Sequence, residues 1–144
     1  MKFNSKGLLP PGIHVVTIEQ FETNFTWSNH RKKLFKKFKG AYKNLTRANV
    51  KKIWIDGSYV ESKEHPNDID GCWEYTNDVN VDKLDPVFLD LHPPREAMKK
   101  KYGVDFLISN MPMIDLSGKQ TTVVDFFQIS RSGDKKGILL IQIP

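Results

Sequence analysis

Two short apolar segments, Ile53-Trp54-Ile55 and the run around Ile69 to Trp73, constrain this chain more than anything else in it. The first ends in Asp56-Gly57-Ser58, a polar loop follows, and the second opens as Asp68-Ile69-Asp70. Side chains alternate across a strand, so this spacing predicts Asp68 and Asp70 on one face and Ile69 in the core. Two carboxylates that close repel each other unless a cation neutralises them, and an all-oxygen site suits Mg²⁺. Glycine lets the backbone approach a ligand, and a Ser hydroxyl beside free N–H groups can hold phosphate. A phosphate-gripping turn joined to paired metal carboxylates is equipment for phosphoryl or nucleotidyl transfer.

The arrangement resembles the signature of the DNA polymerase beta-like nucleotidyltransferase superfamily: an apolar residue, Gly, Gly or Ser, a loop, then Asp-apolar-Asp/Glu. Ile55/Asp56-Gly57-Ser58 matches the first half and Asp68-Ile69-Asp70 the second; Asp56 departs from it, standing where an apolar residue is common. The stretch Leu9-Pro10-Pro11-Gly12-Ile13-His14 and the order downstream also look like short bacterial nucleotidyltransferase-like proteins. The resemblance implies a minimal, Mg²⁺- or Mn²⁺-dependent enzyme that moves NMP from an NTP, expected to be ATP, to a protein or RNA hydroxyl. It implies Gly57 and Ser58 as the triphosphate grip, with Ser62 and Lys63 close enough in the loop to reach phosphates. A third acidic ligand is implied from a later strand, and Val104-Asp105-Phe106 and Val124-Asp125-Phe126 both offer one. Asp105 is preferred, as ligand and as base for the incoming hydroxyl, with Asp125 the alternative. Small stand-alone members resemble toxin–antitoxin and phage-defence components, which implies a protein partner or a tRNA acceptor.

A length of 144 residues fits one domain over 1–144. The element order and the resemblance together predict an α/β (α+β) fold: a single mixed sheet with helices packed mainly on one face. No apolar run reaches membrane-span length and the start lacks a secretory apolar core, so a cytoplasmic location with no membrane partner is expected. Cys72 has no second cysteine to pair with, and one Cys with four scattered His argues against structural zinc.

The net charge of +5 is concentrated in Arg31-Lys32-Lys33, Lys36-Lys37, Lys39, Lys43 and Arg47, with Lys99-Lys100-Lys101 as a second cluster. These read as the wet faces of amphipathic helices or as a patch for nucleic-acid phosphates. The rival to catalysis is accordingly an inactive nucleotidyltransferase-fold module that binds a partner or nucleic acid.

Residues 1–16 are expected to form an extended lead-in, with Pro10-Pro11 forbidding helix. Thr17-Ile18-Glu19-Gln20 has capping-box form for a helix to about Phe25. Ser28 or Asn29 caps the next, whose buried stripe is Leu34, Phe35, Phe38, Ala41, Tyr42, Leu45 and Ala48. Strands are expected at Lys51–Asp56, Ile69–Tyr75, Val104–Ile108 and Gly137–Ile143, and a helix from Arg95 to the Gly103 stop. Pro86 fits the first turn of a short helix, and Thr121–Ile129 is readable as helix or strand.

Overall fold

Thr17 opens the first helix as its spacing requires. In the computed structural model, which describes residues 1–144, Thr17 Oγ1 accepts from Gln20 N–H while Gln20 Oε1 accepts from Thr17 N–H. This reciprocal cap satisfies two orphan donors and starts α1, Ile18–Phe25. Ser28 Oγ accepts from Arg31 N–H and starts α2, Asn29–Arg47. The α2 stripe is buried as expected at Leu34, Phe35, Phe38, Ala41 and Leu45, while Lys32, Lys36 and Lys43 stand in solvent. Arg31 departs from that reading: it belongs to the buried stripe, fully enclosed, and not to the wet face.

The seven strands are β1 (Gly12–Val16), β2 (Lys52–Asp56), β3 (Ile69–Trp73), β4 (Val104–Ile108), β5 (Pro112–Ile114), β6 (Gln120–Thr122) and β7 (Gly137–Gln142). Five form one mixed sheet in the order β1-β7-β2-β3-β4, giving a mixed α+β fold. The outer pairs β1–β7 and β3–β4 are parallel, and β2 is antiparallel to both its neighbours. The lead-in is therefore more than extended chain, because Gly12–Val16 is an edge strand of the sheet. The Pro pair hid it: the strand begins only after Pro11, where both backbone polar groups become available.

Alternation then sorts the sheet. Ile53, Ile55, Ile69, Trp73, Val104, Phe106, Leu139 and Ile141 join the core shared with α1, α2 and α3 (Glu96–Tyr102). The opposite face carries Trp54, Cys72 and Ile138, partly covered by Val123, Met111 and Met113 around the β5–β6 hairpin. The two tryptophans thus pack on opposite faces, and Cys72 is a buried free thiol. Thr121 to Ile129 holds both predicted alternatives in sequence: β6 ends at Thr122, whose side chain then caps α4, Val123–Phe126. Pro86 sits in the first turn of a 3-10 helix, Pro86–Leu89, and Gly103 ends α3 at φ +66°. No helix is long and apolar enough to cross a membrane.

Phe38 is wholly enclosed between Phe21, Phe35 and Phe106. Phe38→Ala should cost about 3–5 kcal/mol in a denaturant titration, and Lys36→Ala, on the exposed face, should stay within about 0.5 kcal/mol.

Candidate functional site

The segment after β2 is held by a cation buried in the core. Arg31 donates from its Nη atoms to the carbonyl oxygens of Tyr59 (2.5 Å), Lys63 (2.6 Å), Glu61 (2.9 Å), Phe25 (3.2 Å) and Ser58 (3.3 Å). Its guanidinium also lies 3.7 Å from the Trp27 ring centroid, and Tyr59 Oη donates back to the Arg31 carbonyl at 3.0 Å. No carboxylate pairs with it. Burial lowers its pKa to about 10, still far above neutrality, so the charge persists and only backbone dipoles answer it. With the carbonyls of Ser58, Tyr59, Glu61 and Lys63 drawn inward, the loop has one fixed path from the 3-10 turn Gly57–Val60 toward β3.

That path brings Gly57 against the acidic residues. Gly57 has φ +73°, and a Cβ there would stand 2.3 Å from Asp70 Oδ2, so both backbone conformation and space require glycine. Asp56, Asp70 and Asp105 are direct cross-strand neighbours on β2, β3 and β4. Asp68 lies one residue before β3, a small displacement from its expected strand position, and it still converges with the others. Carboxylate oxygens of Asp68, Asp70 and Asp105 lie within 4.8 Å of one another.

The protein neutralises this row at its ends and leaves the middle bare. Lys136 Nζ stands 3.0 Å from Asp56 Oδ1 and 3.5 Å from Glu61 Oε2. At the other end Arg95 Nε donates to Asp105 Oδ1 at 2.5 Å, and Lys99 Nζ is 3.7 Å from Asp105 Oδ2. Asp68 and Asp70 have no protein cation within ion-pair distance. Asp70 is accordingly pushed well above the ordinary carboxylate range, first by desolvation, then by its hydrogen bond with Asp68 and the charges of Asp68, Asp105 and Asp56. A bare carboxylate pair with hard oxygen donors and a third carboxylate in reach fits Mg²⁺ or Mn²⁺, and Asp68, Asp70 and Asp105 are the residues that would hold it.

Among the other residues expected from sequence, Ser58 sits on the 3-10 turn next to Gly57, its hydroxyl making no hydrogen bond within the protein. Ser62 and Lys63 are exposed and form no contact with the carboxylates: Ser62 N–H donates to Gly7 O at 2.9 Å, and Lys63 gives its carbonyl to Arg31. Asp125 is on α4, outside the group of converging oxygens, so the geometry favours Asp105 in third place. Sequence reading missed Arg31, Arg95 and Lys136. Arg31 had a legible signal, because 31, 34, 35 and 38 share one helical face. For Lys136 the signal was Asp56 itself: an acid ending an apolar strand needs a cation, and Lys135-Lys136 directly precede the last strand.

Two outcomes test this description. Arg31→Met leaves the loop carbonyls without donors and should destabilise by more than about 3 kcal/mol, since each orphaned buried group costs about 1–3 kcal/mol; Arg31→Lys should rescue little, because an ammonium has only three donors. The raised Asp70 favours its protonated form in the folded state, so metal-free stability should fall as pH climbs from the ordinary carboxylate value of about 4 toward about 8. In Asp70→Asn, chemical denaturation across that range should show a flatter profile.

No curated protein and no solved structure matches the chain. One family model matches residues 1–142, described as a family of unknown function, and the chain belongs to that family, DUF6932.

Proposed function

We propose that this protein is a divalent-metal-dependent nucleotidyltransferase that moves a nucleoside monophosphate from an NTP, ATP in the first instance, to an acceptor hydroxyl. The observation that carries this reading is the cation-free carboxylate pair Asp68/Asp70, with Asp105 in reach, next to the Gly57-Ser58 turn. A divalent ion bound there would supply positive charge to the transferring phosphate.

The chain's own groups divide the remaining work. Asp68 and Asp70 bind the ion, and Gly57, having no side chain, admits phosphate oxygens close to the backbone beside Ser58 Oγ. Asp105 Oδ2, the oxygen not held by Arg95, takes the proton of the acceptor hydroxyl. The acceptor oxygen forms a bond to the α-phosphorus while the bond to the bridging oxygen breaks, and pyrophosphate leaves with that electron pair. The acceptor is a protein or RNA hydroxyl. Exposed lysines on α2 and α3, brought together where Lys37 Nζ donates to Lys99 O, favour an anionic acceptor such as RNA.

Mn²⁺ should bind the folded protein, read by electron paramagnetic resonance, and Asp68→Asn/Asp70→Asn should abolish binding. With labelled NTPs and candidate acceptors, Asp70→Ala and Asp105→Ala should each lower transfer on the order of a hundredfold or more, and Asp125→Ala far less. Unchanged Mn²⁺ binding in the double variant overturns the metal site. A dead Asp125→Ala beside an active Asp105→Ala overturns the choice of third ligand.

A further inference from the structure

At the end of the sheet that carries the acidic row lies a cleft of about 290 Å³, lined by Pro11, Gly12, Asp125, Gln128, Lys135 and Lys136 among others. Strand register explains why it adjoins the row. Gly12 of β1 pairs with Gly137 of β7, Ile55 of β2 pairs with Leu139 of β7, and Asp56 pairs with Asp70. The residues just before β7 therefore stand beside the Asp56-Gly57 end of β2, with Asp70 one strand further along. Adjacent strands are about 4.8 Å apart, so the span from Lys136 to Asp70 is roughly 10 Å.

Lys136 is the unusual member of this cleft. Its side chain is only 11% exposed, yet it lines the opening. An ammonium has three donors; Asp56 and Glu61 take two directions, at 3.0 and 3.5 Å, which leaves one for the cleft. Asp56 Oδ1 has no aligned hydrogen-bond donor, so the pair is a charge contact that fixes where the ammonium sits and does not saturate it. Lys135, exposed on the same rim, has no carboxylate partner within ion-pair distance. The apolar share of the lining is small, with Ile129 as its hydrophobic residue. A small cleft with two lysines and little apolar surface selects an anion over a flat ring.

We propose that this cleft binds the condensed-phosphate end of the substrate, with Lys136 as the contacting cation and Asp56 and Glu61 as positioning residues that aim it. The ligand class is a diphosphate or triphosphate group, and the position deepens the nucleotidyl-transfer reading, on which its catalytic meaning rests. Substrate runs from the carboxylate pair, past the bare Gly57 and Ser58 Oγ, to the lysines, and the departing pyrophosphate meets Lys136 as its charge develops. The departure at Asp56 thereby gains a purpose: it is the counter-ion of the leaving-group lysine.

Pyrophosphate itself is the first probe, titrated calorimetrically into the full chain with and without Mn²⁺, with ATP and AMP as comparison arms. Lys136→Ala should weaken pyrophosphate and ATP at least tenfold, Lys136→Arg less, and leave AMP, which lacks a condensed phosphate, within twofold; Mn²⁺ binding should persist. Asp56→Asn should weaken pyrophosphate severalfold while the thermal midpoint shows a folded protein. A measurement on the unmutated chain guards against misfolded variants: pyrophosphate should shield Lys136 from acylation, read by peptide mass spectrometry, and leave Lys36 unshielded. Folded Lys136→Ala with unchanged pyrophosphate affinity, or acylation of Lys136 indifferent to pyrophosphate, overturns the site. Pyrophosphate bound through Lys136 with no nucleotidyl transfer to any acceptor would overturn the enzyme reading and leave the site standing.

Discussion

A cation without a counter-ion sits at the centre of this fold. Arg31 is wholly buried and answered only by carbonyl oxygens, most of them from the segment after β2. Burying an unpaired charge in apolar surroundings is prohibitive. Here the guanidinium's planar fork of donors matches several acceptors at once, and the Trp27 and Tyr59 rings cover its faces. The loop must follow the arginine, so the position of Gly57-Ser58 is set from the helix side of the sheet. Chemistry on one face is thus held in place by packing on the other.

The acidic face follows a second logic, in which charge is balanced unevenly by design of the strand register. Three aspartates fall in line because β2, β3 and β4 start or end at the same edge. Lys136 serves one outer member and Arg95 with Lys99 the other, so repulsion concentrates on Asp70. A row neutralised throughout would be an ordinary structural ion-pair network. One neutralised only at its ends retains free-energy demand for a cation at the centre.

Much of this was legible before any coordinates. The strand-turn-strand unit, the α1 capping box, the α2 stripe and the Gly103 stop are local signals, and each names its element through short-range geometry. Asp105 was separable from Asp125 because a glycine stop followed by β-branched and aromatic residues predicts a new strand. What stayed hidden depends on partners distant in sequence. Arg31 reads as one more basic residue in a lysine-rich segment until the acceptors 27 to 32 residues away are known. Glu61 and Lys136 are 75 residues apart. The β1 strand was obscured because five residues after a proline pair carry little pattern of their own, and only their pairing with β7 defines them.

The insertion of β7 between β1 and β2 also bears on how the molecule comes into being. Every other strand precedes it in the chain, yet none of the first two can join the rest of the sheet until Gly137–Gln142 is available to bridge them. Sheet closure is therefore a late, long-range event, of the kind that slows folding and leaves edges unprotected in the meantime. A nascent chain emerging from the ribosome would carry its aspartates long before it possessed Lys136 or a completed sheet. Nucleotide-handling capacity would then switch on only with the finished polypeptide, which spares the cell a half-made catalyst.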